Sequence, residues 1–142
     1  MEFVFDDGGR SKAGYKGLTG DCVTRSIAIV TGKPYQEVYD ALNDLGRSER
    51  TGKRKKKRSH SRTGVYKQSY RHYLESLGWR WISTMAIGSG CRVHLRASEL
   101  PAGSLAVKVS RHLTAVVDGI LHDTHDCSRG GQRCVYGYFI KP

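Results

Sequence analysis

The dipeptide Asp118-Gly119, set between the runs RHLTAVV and ILHDTHD, constrains this chain more than any other feature. A type I′ hairpin turn needs positive φ at both central residues, which Asp-Gly supplies, and alternating apolar residues on either side then fix the pairing. The turn sets Val117 opposite Ile120, Val116 opposite Leu121, Thr114 opposite Asp123, and His112 opposite His125. Side chains alternate across a strand, so His112, Thr114, Asp123 and His125 share one face, while Leu113, Ala115, Val117 and His122 share the other. His112 and Asp123 become diagonal neighbours. A carboxylate in that position fixes the tautomer of an imidazole and stabilises the imidazolium it forms.

The hairpin belongs to a longer β region. After Gly78 the apolar period is two, and WRWIST, SLAVKVS and CVYGYFI read as further strands; EFVF, at the start, is another short one. Between Gly20 and Gly78 the period is helical. CVTRSIAIV begins at Cys22, with Thr19 or Asp21 as cap, Val23, Ile27 and Val30 on one face, and Gly32 as stop. Pro34 opens a second helix carrying Tyr35, Val38, Leu42 and Leu45, which Gly46 ends. Tyr66, Tyr70, Tyr73, Leu74 and Leu77 form the stripe of a third. Helices followed by a strand meander predict an α+β fold, one domain over 1–142, with the Cys22 helix and its neighbours packed on an antiparallel sheet of about 4–6 strands.

Charge is concentrated. Residues 47–62, RSERTGKRKKKRSHSR, hold nine of the 24 Lys and Arg and one of the 13 acids, leaving fifteen cations against twelve acids, a net +3, elsewhere. Like charges repel and nothing apolar recurs, so 47–62 is expected to be a flexible, solvated basic loop inserted between helices. Lys53, Arg54, Lys55, Lys56, Lys57 and Arg58 are its candidate contacts to nucleic acid or an acidic partner; no fold-level nucleic-acid motif accompanies them, and His60 is the only ring available for stacking. No signal peptide is visible and no apolar run reaches the length needed to cross a bilayer, so a cytoplasmic protein without membrane contact is expected. In a reducing compartment the four cysteines are expected to form no structural disulfide. His122, His125, Cys127 and Cys134 match no familiar zinc spacing, so no metal and no cofactor are expected. Cys91, beside His94 in a glycine-flanked loop, reads as a packing or turn residue.

Cys22 differs because it opens a helix, where the macrodipole favours a thiolate. A helix-start thiol with a His-Asp pair on later strands is the equipment of nucleophilic acyl transfer: Cys22 attacks, His112 serves as base and then acid, and Asp123 orients it. Asp126 is the rival carboxylate if the strand bulges near His125.

GDCVTRSIAIVTGKPYQEV resembles the nucleophile helix of papain-like thiol hydrolases, particularly the branch whose peptidases remove bacteriocin leader peptides. RHLTAVVDGILHDTHD similarly resembles that branch's histidine strand and the following strand ending in aspartate. The chain also resembles small uncharacterised proteins of bacteria and their phages that carry GDC, SGCRVHL, HLTAV, DGILHDT and VYGY segments. The resemblance implies a papain-like domain cleaving a peptide or isopeptide bond in a peptide or protein substrate. It implies a Cys22-His112-Asp123 triad, the Cys22 backbone N–H as oxyanion donor and, for a phage protein, the bacterial cytoplasm as its location. Papain-like peptidases usually place an oxyanion-hole glutamine several residues before the cysteine, and GYKGLTGDC contains none. That departure supports the alternative of a weak or inactive papain-like binding protein or inhibitor acting through its basic loop.

Overall fold

The computed structural model describes every residue of the chain except Leu18 and Lys55. Helices α1 (Cys22–Thr31), α2 (Tyr35–Arg47) and α3 (Lys67–Ser76) precede most of a six-stranded sheet. Its strands are β1 (Phe3–Phe5), β2 (Arg80–Ser83), β3 (Ser104–Val109), β4 (His112–Val117), β5 (Ile120–Asp123) and β6 (Gly137–Ile140), in spatial order β1-β5-β4-β3-β6-β2. The fold is α+β. The sheet is mixed rather than antiparallel throughout: β1 runs parallel to β5, pairing Phe3 with Leu121 and Phe5 with Asp123. Residues 6–119, the whole helical region among them, separate the two strands, so no local turn signal marks that parallel pairing.

The β4–β5 hairpin has the register set by its turn, with Val117 opposite Ile120, Val116 opposite Leu121 and Ala115 opposite His122. Asp118 and Gly119 both have positive φ, 49° and 78°, as a type I′ turn demands.

Both faces of the sheet are covered, which explains why SLAVKV and HLTAVV are almost continuously apolar. On one face Ala106, Leu113, Ala115 and Phe139 pack against Val23 and Ile27 of α1, Val38 and Leu42 of α2, and Tyr70 and Leu74 of α3. Each large apolar side chain fully buried here contributes roughly 1.5–3 kcal/mol by leaving water. On the other face Leu105, Val107, Val109, Val116 and Leu121 lie under two loops that contribute Leu95, Cys127 and Val135. A Cys91–Cys134 disulfide, with Cα atoms 5.8 Å apart, and an isolated bridge between His94 and Cys134 join these loops. The expectation of four free thiols is therefore corrected, and Cys91 is a cross-link partner rather than a simple turn residue. The two cysteines are 43 residues apart, a distance over which sequence spacing carries no pairing information.

The basic segment also departs from a wholly solvated loop. Arg47 is the last residue of α2, while Ser59 and Ser61 are buried. Gly46, expected to end α2, lies within it and lets the chain return, because a Cβ there would collide with the Ser59 carbonyl oxygen. Ser61 N–H then donates to Asn43 Oδ1 (2.8 Å), and Thr24 Oγ1 on α1 donates to the Ser61 carbonyl (2.7 Å). Residues 59–65 are thereby held beside the start of α1.

Candidate active site

Asp123 ends β5, buried, and collects donors from three directions. His112 Nε2 lies 2.7 Å from its Oδ2, which also accepts Thr114 Oγ1 at 2.6 Å; Oδ1 accepts the Thr124 N–H at 2.7 Å and the Arg25 guanidinium at 3.0 Å. The first two contacts follow directly from the hairpin register, since Thr114 stands opposite Asp123 and His112 is two residues earlier on the same face. Asp126 is not the partner. Its carboxylate is turned to its own loop, accepting Ser128 N–H (3.0 Å) and Ser128 Oγ (2.6 Å). His125 stacks at a tilt near His112, ring centroids 5.2 Å apart, and His122 instead approaches Asp6.

Arg25 was not singled out by its sequence context, and it ties the helix to the hairpin. It is 6% exposed, three residues after Cys22, and its guanidinium bridges Asp21 and Asp123. Asp21, fully buried, also takes Arg10 Nη1 (3.1 Å) and Tyr35 Oη (2.7 Å). Asp21 stands at the N-cap position of α1 but makes no side-chain cap hydrogen bond; its oxygens are occupied by these cations and the phenol. The visible signal was an Asp and an Arg at i,i+4 on a helix otherwise apolar, where unpaired charge is untenable.

Cys22 is partly buried at the first position of α1. Burial opposes its thiolate, but hydrogen bonding with His112 and the Leu113 backbone, together with the His112 and Arg25 charges, lowers the thiol below its ordinary value. His112 moves the other way: burial opposes its charge, yet hydrogen bonds to Asp123, Cys127 and Cys22 and the Asp123 charge raise it to about 11. Both directions favour a thiolate–imidazolium pair. Asp123 occupies Nε2.

Cys22 and His112 face a cleft of about 670 Å³. Its far wall is Thr63, Gly64 and Val65, held by the docked end of the basic segment, and its rim includes Lys108 and Arg111. The first turn of α1 carries no acidic residue and no side-chain cap, so the Cys22 N–H stands at an open helix N-terminus. Among the described residues no glutamine lines the cleft. Tyr70 does line it, and its buried hydroxyl has no hydrogen-bond partner among the described residues.

His112, Asp123 and the buried thiol Cys127 bring three donor atoms within 4.8 Å of one another. They do not suit a metal ion: the Asp123 oxygens are already committed to Arg25, His112, Thr114 and Thr124, and the Arg25 guanidinium on Oδ1 already neutralises the carboxylate. The His and Cys residues weighed for zinc are dispersed, with Cys134 in the disulfide and His122 on Asp6. Of the basic-loop candidates, Lys53, Arg54, Lys56, Lys57 and Arg58 are exposed, and Lys55 lies outside the described residues. Among the described residues no helix is long and apolar enough to cross a membrane.

Compared with family models, curated proteins and solved structures, the chain matches none.

Proposed function

We propose that the protein is a papain-like cysteine hydrolase that cleaves a peptide or isopeptide bond in a peptide or protein substrate. The observation supporting this reading is one cleft lined by both Cys22, at a helix start, and His112, whose Nε2 Asp123 holds at 2.7 Å. In the proposed reaction the Cys22 thiolate forms a C–S bond to the scissile carbonyl, whose oxygen becomes an oxyanion beside the Cys22 N–H. His112 gives its proton to the departing amine as the C–N bond breaks. Water then loses a proton to His112 and attacks the thioester, releasing the acid and restoring the thiolate–imidazolium pair. Asp123 carries no proton in either half; it keeps the ring in place and stabilises its charge.

The test is mapped alkylation. Iodoacetamide should modify Cys22 faster than Cys127, and at a pH where an ordinary thiol is mostly protonated, and His112→Ala should abolish that low-pH reactivity. Equal labelling of wild type and Cys22→Ala, with Cys127 as the modified residue, would sink the reading.

A second reading rests on the exposed cations at 53–58: a catalytically weak or inactive papain-like binding protein or inhibitor, of phage origin in its most specific form, whose loop contacts nucleic acid or an acidic partner. Its distinguishing result is binding that survives Cys22→Ala and disappears when the Lys and Arg of 53–58 become Ser.

A further inference from the structure

The charges lining the cleft are unbalanced. Arg10, Arg25, Lys108 and Arg111 face one carboxylate, Asp21, whose oxygens are already engaged by Arg10, Arg25 and Tyr35. Arg25 is further matched by Asp123. Lys108 and Arg111 are left with no hydrogen-bond or ion-pair partner for their side chains among the described residues.

Lys108 is half-buried, while Arg111 is exposed on the rim of the cleft. Lys108 pairs with Leu113 across β3 and β4, on the parity of Ala106 and the helix-covered apolar face. Its ammonium is partly desolvated, which disfavours its charge, and the nearby groups that act on it are Cys22, Tyr136 and Arg133. The Cys22 thiolate is the one anion beside this half-buried ammonium, which makes no hydrogen bond or ion pair among the described residues and so has donors left for a second anion. Arg111 is the second residue of the two-residue turn between β3 and β4, next to His112, and has φ of 57°. A left-handed conformation costs a residue with a Cβ roughly 1–2 kcal/mol, where glycine would be free of it. The turn imposes this conformation, and it sets the Arg111 side chain beside His112 on the cleft rim.

We propose that the cleft takes an acyl substrate bearing a carboxylate next to the scissile bond, with Lys108 and Arg111 as its counter-ions. This rests on the hydrolase reading of Cys22. The carboxylate comes from an Asp or Glu side chain or from a free C-terminus, and both present the same planar anion to an ammonium and a guanidinium.

Two reagents isolate the charge. Iodoacetate and iodoacetamide alkylate a thiolate by the same displacement, the S–C bond forming as iodide leaves, and differ only in carrying a carboxylate or a neutral amide. Their rates at Cys22, mapped by mass spectrometry and divided by the same ratio for 2-mercaptoethanol, report the cleft's preference. The iodoacetate:iodoacetamide ratio should exceed that of the free thiol at least tenfold. It should fall severalfold in Lys108→Gln and in Arg111→Gln, survive in Lys108→Arg, and shrink as ionic strength rises. The double variant separates these residues from the imidazolium of His112, which also attracts anions. An unchanged ratio in the folded double variant overturns the proposal while leaving the hydrolase reading standing; no alkylation of Cys22 by either reagent overturns the hydrolase reading and this proposal with it. Peptides with Asp or Glu against Asn or Gln, each with free and amidated C-termini, then assign the source of the carboxylate. Equal turnover of all of them overturns the proposal as well.

Discussion

Replacing Asp123 by Asn removes one charge and almost no volume, and its effect can be worked from the geometry. Asp123 Oδ2 and His112 Nε2 are 2.7 Å apart. At an effective dielectric constant of about 20 this separation corresponds to about 6 kcal/mol of attraction. At 1.36 kcal/mol per pKa unit that is about 4.5 units, of which burial takes back a part. The direction is that of His112, raised to about 11. Without the carboxylate that burial is opposed only by the Cys127 and Cys22 contacts, so His112 should fall far below about 11 and lose most of its charge at pH 7. Cys22 then loses its imidazolium partner and its thiol returns toward 8.5, where only about 0.3% is thiolate at pH 6. The higher intrinsic nucleophilicity of a more basic thiolate recovers some of the loss. Alkylation of Cys22 at pH 6 should therefore slow by about one to two orders of magnitude, and the pH–rate profile should move upward.

Stability responds in the same variant. Asp123 is held below its ordinary value: burial opposes this, and the bonds from His112 and Thr114 and the His112 charge outweigh it. Its contribution is present above the unfolded value near 3.9 and is lost as pH falls through the folded one. His112, raised, contributes fully below about 6.5 and loses that contribution as pH rises through about 11. The wild type should be most stable between about pH 4 and 6.5. Asp123→Asn leaves Arg25 with one carboxylate fewer and should cost about 3–5 kcal/mol at most in that window, less where the amide oxygen still accepts Arg25, and flatten both flanks. Urea unfolding across pH and the iodoacetamide profile are the assays. A variant whose pH–rate profile superimposes on the wild type would refute the coupling of Asp123 to Cys22 through His112.

Other consequences are open to measurement. Tyr70→Phe deletes a buried hydroxyl that has no partner, so the variant should be more stable by about 1 kcal/mol; destabilisation in urea would mean the hydroxyl is bonded in solution. Oxidised, unfolded protein should titrate two thiols with a chromogenic disulfide, Cys22 and Cys127, and four after reduction; closing a loop of this length stabilises by up to about 4 kcal/mol, so the reduced protein should melt lower. Replacing Lys53, Arg54, Lys56, Lys57 and Arg58 with Ser should remove any salt-sensitive nucleic-acid binding, whose affinity falls by about 0.9 log unit per log unit of salt for every phosphate that the cations neutralise; binding unchanged in affinity and salt slope would exclude the loop.

Local signals made much of this legible. Asp118-Gly119 fixed a register, and from it the meeting of His112, Thr114 and Asp123 followed without further information. The three helices were equally visible, because their apolar residues recur at 3.6 and the core they enter is one continuous face. What escaped had its cause far away in sequence. Pairing of β1 with β5 joins residues more than a hundred positions apart, and the Cys91–Cys134 link depends on two loops converging over the second face of the sheet. The docking of Ser59 and Ser61 was hidden for a different reason: the charge of their neighbours dominated the composition, while the features that seat them, Gly46 and Asn43, lie on a helix. Arg25 was obscured by its setting, since an arginine in an apolar helix declares a buried partner without naming it.

Arg25 also bears on why the site is built from charges at all. Asp21, Arg25 and Asp123 are each nearly or fully shielded from water, and ions taken out of water are rarely worth their desolvation as a source of stability. Apolar side chains of similar size would pack α1 against β5 at no such cost. They would not, however, fix its rotation and axial position. A guanidinium that reaches both Asp21, the N-cap of α1, and Asp123 on the hairpin ties the start of α1 to the hairpin, and Cys22, one turn away, lines the same cleft as the imidazole that Asp123 holds from its other oxygen. Thr24 and Ser26 reinforce the same placement by donating to the carbonyls of Ser61 and Leu113.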